Sequence, residues 1–472
     1  MILEQHYLGC LSQASYLVAD EASGEAAIVD PRRDVDEYVE TAAARGLAIR
    51  HILLTHFHAD FASGHLELSR KTGAPIYLGA PAKADYPFVP LADGQSIDLG
   101  GVRIQALATP GHTPESTSFA VFDLTESAES PRAVLTGDTL FVGDVGRPDL
   151  MASAGISAED LAGSLYDSLH TKLLALPDET IVYPGHGAGS ACGKNLGSET
   201  SSTIGQQRRM NYALQPMERE AFIRIVTSGL PEPPRYFGHD ARLNRENHPG
   251  LEEIVSRSLR PLSIEEVLDL SRAGARILDA RQPEAFAAGH IAGSINVGLE
   301  GRFASWAGTI LDPEAPLVIV ADPGREKEAI VRLGRIGLDR VEGFLDGGIA
   351  SLNGHAGALA SFRRYAPGEL AASLASGTAP VVLDIRGDAE RAAGHLAGSL
   401  HVPLPSLQER MEEVPQDREV VVTCAQGYRS AIAVSLLRAG GHGNVSDLSG
   451  GFNAWKAAGH PTVTGAPESS VT

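Results

Sequence analysis

The chain has little cysteine, no long apolar run and no block of basic residues. Three cysteines in 472 residues cannot build a disulfide framework. They fit a reducing, cytoplasmic setting in which a free thiol is available for chemistry. No apolar stretch approaches the roughly 20 residues that a helix needs to cross a bilayer, so no membrane partner is expected. Lys and Arg number 39 against 59 Asp and Glu, a formal net charge of −20. Without clustered Lys and Arg there is little to hold a phosphate backbone, so nucleic acid is not an expected partner either. The first twenty residues, MILEQHYLGCLSQASYLVAD, lack a basic segment and an unbroken apolar core. They are expected to form a strand hairpin rather than a signal peptide. The length suggests about three domains at roughly 150 residues each.

Over residues 1–225, short β-rich runs such as EAAIVD, IRHILLTH, VRIQALATPGH and RAVLTGD each end at or near a His or Asp. Ligands carried at strand ends are what a metal site in an α/β fold needs. The stretch LLTHFHADFASGHLEL at 53–68 sets His56, His58 and Asp60 at alternating positions, as in the metal motif H-x-H-x-D-H, but Phe61 stands at the last ligand position. A phenyl ring has no lone pair to donate. Further donors follow in order: His112 in TPGHTPES, Asp138 in LTGDTLFVGDVGRPDL and His186 in VYPGHGAGS. His56, His112 and Asp138 would form a two-histidine, one-carboxylate set, which suits Fe(II) acting on O₂ and also occurs with zinc. One metal is the simpler expectation; the alternative is that His65 or His186 rescues a second ion. In GRPDL, Arg147 and Asp149 suggest an ion pair that holds the loop, with substrate orientation as the alternative. Arg208, Arg209 and Tyr212 in GQQRRMNYALQP are expected on a helix, either meeting a substrate carboxylate or forming a solvated face. Residues 228–250, rich in Pro, Gly and charge, read as an ordered connector or linker.

The remainder contains an internal repeat. RILDARQPEAFAAGHIAGSINVGL at 276–299 matches VVLDIRGDAERAAGHLAGSLHVPL at 381–404, and FLDGGIASL at 344–352 matches DLSGGFNAW at 447–455. Asp279 answers to Asp384 and His290 to His395, both 105 residues on, and Gly347 answers to Gly450, 103 residues on. Each copy is expected to be an α/β domain with a parallel sheet. In EVVVTCAQGYRS at 419–430 an apolar strand ends at Cys424, and a loop closed by Arg429 leads into a helix. Backbone amides and a helix N-terminus around the sulfur favour an anionic sulfur or a bound oxyanion. The first copy reads PLVIVADPGREKEA, with Ala321 opposite Cys424 and no thiol anywhere. Cys192, six residues after His186, is either a small buried core thiol or a relay beside the metal. Cys10 reads as packing in the N-terminal hairpin, and TGAPESSVT at the end as a loose tail.

The ordered donors of residues 1–225 resemble the metallo-β-lactamase superfamily, and GDTLFVGDVGRPDL resembles its persulfide dioxygenase branch. The resemblance implies an αββα sandwich with one Fe(II) per chain, zinc being the alternative, held by His56, His112 and Asp138. His58, Asp60 and His186 then orient the ligands or add one. GHLAGSLHVP, C-x4-R and LSGGFNAW resemble rhodanese sulfurtransferases. That implies a persulfide carried on Cys424, with Arg429 beside it, and a catalytically dead first copy that serves as spacer or interface.

The whole chain thus resembles persulfide dioxygenase–rhodanese fusions. The expected domains are 1–245, a dioxygenase with its connector; 246–358, an inactive rhodanese-like domain; and 359–472, an active rhodanese. The resemblance implies oxidation of a small-molecule persulfide by O₂ to sulfite, with thiosulfate made through Cys424. Cys192, Arg147, Arg209 and Tyr212 are further candidates for catalysis or substrate binding, and a homo-oligomer is expected. The rival from the same superfamily is a glyoxalase II-like zinc thioester hydrolase carrying rhodanese domains as passengers.

Overall fold

The computed structural model describes residues 1–151, 155–352, 355–376 and 379–465. The expected loose tail lies, from 466 on, outside the described residues. The chain divides into two compact units, Met1–Ile254 with Leu333–Gly337, and Val255–Arg332 with Leu338–Thr472.

The first unit is a four-layer sandwich. One six-stranded sheet runs in sequence order from Ile2–Leu8 through Gln13–Asp20, Glu25–Val29, Ala48–Leu53 and Ile76–Gly79 to Val89–Leu91. The first two strands pair antiparallel, which is the hairpin expected from the N-terminal sequence. The second sheet has the order Ser202–Thr203, Ile181–Pro184, Ala133–Gly137, Thr117–Asp123, Val102–Ala108, Ser96–Asp98. Alternation along Gln13–Asp20 assigns its two faces. Tyr16 and Val18 join Phe119, Val121 and Leu135 between the sheets. Leu17 and Ala19 turn outward to pack with Tyr38 of the helix Asp36–Ala44 and Leu68 of the helix His65–Thr72. On the other side Val134 and Val182 meet Leu165 of Ala158–Ser168 and Phe222 of Arg219–Thr227. Both sheets are covered on both faces, so their central strands read as apolar runs rather than as polar–apolar alternation.

The second unit holds two five-stranded parallel sheets of matching order. They are Pro261–Leu262, Val341–Leu345, Leu317–Val320, Arg276–Asp279, Ile295–Asn296, and Arg364–Tyr365, Val445–Leu448, Val420–Thr423, Val381–Asp384, Leu400–His401. The landmarks of the repeat hold the same bonds in each copy. Arg281 clasps Asp279 and donates to the Gly289 carbonyl at 2.8 Å; Arg386 clasps Asp384 and donates to Gly394 at 2.7 Å. His290 and His395 bond through Nδ1 to carbonyls four residues back. The D-x-R and GH signatures are therefore structural, each arginine tying a strand end to the turn beyond the next helix. Among the described residues no helix is long and apolar enough to cross a membrane.

Candidate metal centre and cysteine loop

His56, His58 and Asp60 follow the strand Ala48–Leu53, His112 follows Val102–Ala108, Asp138 follows Ala133–Gly137, and His186 follows Ile181–Pro184. All six are buried. The ligand atoms of His56, His112 and Asp138 lie within 4.8 Å of one another, as do those of His58, Asp60 and His186, and of Asp138, His186 and Cys192.

What stands behind each imidazole fixes its orientation. The Nδ1 of His112 bonds the Arg147 carbonyl at 2.9 Å, and that of His186 bonds the Ser12 carbonyl at 3.1 Å. A carbonyl only accepts, so both rings carry a proton on Nδ1 and turn Nε2 inward. The Nδ1 of His56 lies 2.9 Å from the Thr55 hydroxyl, whose own proton goes to Asp30 at 2.8 Å, which sets the same tautomer. Ser12 and Asp30 have φ of 54° and 52° and are the non-glycine residues with positive φ among those described. Both stand directly behind metal-site histidines, so the strain is spent on aiming ligands. A Cβ at Gly185 would lie 2.5 Å from Asp138 Oδ1, which explains the glycine before His186.

The charge balance points to a cation. The ion-pair partners of Asp60 and Asp138 are imidazoles, at 3.4–3.9 Å. Burial, with the neighbouring imidazoles, holds His56 well below its usual range, so it is neutral and able to ligate. Burial opposes charge on His186, but Asp138 and Asp60 outweigh it and raise its pKa. His56 Nε2, His58 Nδ1, Asp60 Oδ1, both Asp138 oxygens and His186 Nε2 are buried without hydrogen-bond partners, while His58 Nε2 lies 3.0 Å from Asp30 Oδ1. Each such orphan costs about 1–3 kcal/mol. Their convergence is what a divalent cation would satisfy, so the donor set fits a metal.

Several expectations are refined. Phe61 is fully buried, its ring 4.3 Å from that of His58. A second trio, His58, Asp60 and His186, persists beside it. The alternative that His65 rescues a second ion is not met. His65 packs on Tyr86 and His248, with ring centroids at 4.8 and 5.8 Å, and joins none of the candidate ligand groups. Arg147 is bound to Asp149 by two 2.7 Å bonds and donates to the Ala191 and Pro231 carbonyls. It holds the loop rather than offering itself to substrate. Tyr212 donates to Asp144 at 2.8 Å, Arg208 pairs with Asp178, and Arg209 is exposed on the helix Ile204–Met210. None of the three is directed at the cluster by these contacts. Cys192 is buried within it, and burial beside Asp60 and Asp138 pushes its thiol up to about 12. Cys10 is half-buried in the hairpin turn.

Asn244 belongs to the site without any motif to mark it. From the connector, its amide donates to the carbonyls of His58 and Phe61 at 2.8 Å each, and its oxygen accepts from Ser63 N–H at 2.8 Å. One buried side chain thus clamps the whole turn that carries His58 and Asp60. An asparagine in a polar connector has no sequence pattern to single it out.

Cys424 follows the strand Val420–Thr423, and Gly427 N–H donates to its sulfur at 3.0 Å at the start of the helix Tyr428–Ala439. A Cβ at Gly451 would lie 2.3 Å from the Cys424 carbonyl oxygen, and Phe452 N–H donates to that oxygen at 2.7 Å. The SGGF motif is therefore the floor under the loop. In the first copy Val320 pairs with Asp279 as Thr423 pairs with Asp384, so Ala321 occupies the place of the thiol. Arg429 is held by Glu390 at 2.7 and 2.8 Å.

A buried His–Asp centre between two covered sheets, followed by two parallel-sheet domains of which one bears a cysteine loop, defines a metallo-β-lactamase-fold protein joined to tandem rhodanese domains. The chain belongs to the metallo-β-lactamase superfamily, which matches residues 8–186, and carries rhodanese-like domains at 263–355 and 366–458. It is similar to a metallo-β-lactamase from Staphylococcus aureus subsp. aureus COL, with 32% identity and a TM-score of 0.63 over 73% of this chain and 98% of that one. It is also similar to the persulfide dioxygenase ETHE1, mitochondrial, of Homo sapiens, at 28% identity over 49% of this chain and 84% of that protein. A hydroxyacylglutathione hydrolase, cytoplasmic, of Arabidopsis thaliana is 36% identical over 46% of this chain and 80% of its own length.

Proposed function

We propose that the protein oxidises a low-molecular-weight persulfide to sulfite at a single Fe(II), held by His56, His112 and Asp138, and transfers sulfane sulfur through Cys424 to give thiosulfate. The observation that carries this is the buried two-histidine, one-carboxylate trio in one chain with a rhodanese cysteine loop. Ferrous iron, when bound, supplies the redox chemistry with O₂. The chain's own groups do the rest. The Arg147 carbonyl and Thr55 hydroxyl aim His112 and His56. The covered sheets exclude bulk water. Gly427 N–H stabilises negative charge on the Cys424 sulfur. Sulfite has a sulfur lone pair that can attack the outer sulfur of a Cys424 persulfide, with Cys424 leaving as thiolate. Three free cysteines suit the reducing cytoplasm in which a persulfide carrier persists.

The alternative reading is a zinc thioester hydrolase. Two observations favour it, the trio His58, Asp60 and His186 and the likeness to a hydroxyacylglutathione hydrolase. Metal content, persulfide-dependent O₂ uptake and thioester cleavage measured on one preparation separate the two. Iron with O₂ uptake and no thioester cleavage supports the dioxygenase. Thioester cleavage with two zinc ions and no O₂ uptake refutes it.

A further inference from the structure

We propose that Glu390 sets the anion preference of the Cys424 loop by neutralising Arg429, so that small dianions are disfavoured as sulfur donors. This rests on the sulfur-transfer role given to Cys424. Arg429 is the one basic residue in the loop CAQGYRS. Its two terminal nitrogens both engage the Glu390 carboxylate, at 2.8 and 2.7 Å. That carboxylate is anchored from behind by Gly387 N–H at 3.2 Å, so it does not swing away freely. The other arginines around the loop are matched in the same way. Arg364, which approaches Gly427, clasps Asp447, and Arg386 clasps Asp384. The pair accompanies the thiol. By the spacing of the repeat, Ala285 stands where Glu390 does in the cysteine-less copy, and Glu326 stands where Arg429 does.

Loading from thiosulfate makes the consequence concrete. The Cys424 thiolate attacks the outer sulfur, an Sγ–S bond forms, the bond to the sulfonate sulfur breaks, and sulfite departs with the electron pair. No oxidant or reductant is needed. Thiosulfate brings two negative charges to a guanidinium whose binding fork is already filled by a carboxylate. A persulfide on an uncharged carrier does not depend on that fork.

The test is steady-state sulfur transfer to cyanide by the full chain, with thiosulfate or 2-mercaptoethanol persulfide as donor. Glu390→Gln removes the charge, and Glu390→Ser removes it while keeping a short acceptor for Gly387 N–H. Glu390→Asp is the conservative control. The neutral variants are expected to lower KM for thiosulfate about tenfold and steepen its dependence on ionic strength, with kcat within about twofold. KM for the persulfide should stay put, and Glu390→Asp should keep the parent preference. An unchanged or raised KM for thiosulfate in the neutral variant that folds, or an equal shift for both donors, overturns the proposal. No transfer by the parent protein from either donor overturns the sulfur-transfer role itself, and the proposal with it.

Discussion

Replacing Asn244 is the sharpest probe of how the metal loop is held. Asn244→Ala strips two buried carbonyls, of His58 and Phe61, of their donor and leaves Ser63 N–H without its acceptor. Each buried unsatisfied group costs about 1–3 kcal/mol. Partial relaxation of the turn brings the expected sum to roughly 3–5 kcal/mol. The backbone of residues 58–63 then loses its fixed course, and with it the placement of His58 and Asp60. Loss of an outer partner of metal ligands lowers affinity by about 10–100-fold. Asn244→Asp is the subtler variant. It keeps the acceptor for Ser63 but sets a carboxylate oxygen against two carbonyl oxygens, so it should bind metal more weakly than the parent. Metal affinity is measured by chelator competition with Fe(II) and Co(II), and stability by thermal unfolding with and without metal. Both variants with parent-like affinity and unfolding temperature would refute the clamp.

Thr55→Val removes the acceptor for His56 Nδ1–H and the donor to Asp30, and should weaken metal binding about tenfold by the same competition assay. Cys424→Ser should leave O₂ uptake intact and abolish enzymatic thiosulfate formation. Gly451→Ala forces a Cβ to 2.3 Å from the Cys424 carbonyl at a φ of 60°. It should cost about 1–3 kcal/mol and most of the sulfur transfer while sparing O₂ uptake. Arg429, through its hydrogen bonds, holds Glu390 below its ordinary value of 4.5. The pair is therefore fully stabilising above that pH and is lost as pH falls through the lowered folded value. The stability gap between the parent and Glu390→Gln, read by urea unfolding, should close on acidification below 4.5 and not on alkalinisation.

Much of the architecture was legible because chemistry and packing leave patterns. The candidate ligands His56, His112, Asp138 and His186 stand at strand ends, where a short apolar run meets a reactive residue. The rhodanese repeat was legible because Asp279 and Asp384, His290 and His395, and the paired glycines make the same bonds twice. What did not show in the sequence depends on contacts distant along the chain. Asn244 bonds residues more than 180 positions away. Ser12 supports His186 through its backbone carbonyl, a role no side chain advertises. Phe61 stands where the motif H-x-H-x-D-H places its last ligand. It could not signal that His58, Asp60 and His186 still converge, because that follows from how two sheets face each other. The Arg147–Asp149 pair was legible from GRPDL, whereas nothing in the sequence reveals that Asp144 already occupies Tyr212.

Anaerobic purification, metal analysis and an oxygen electrode decide whether the centre is a dioxygenase. One iron per chain is expected, with O₂ uptake that begins only on addition of a small-molecule persulfide and sulfite as the first product. Zinc in the centre, with no persulfide-dependent O₂ uptake even after reconstitution with Fe(II), would contradict the dioxygenase reading.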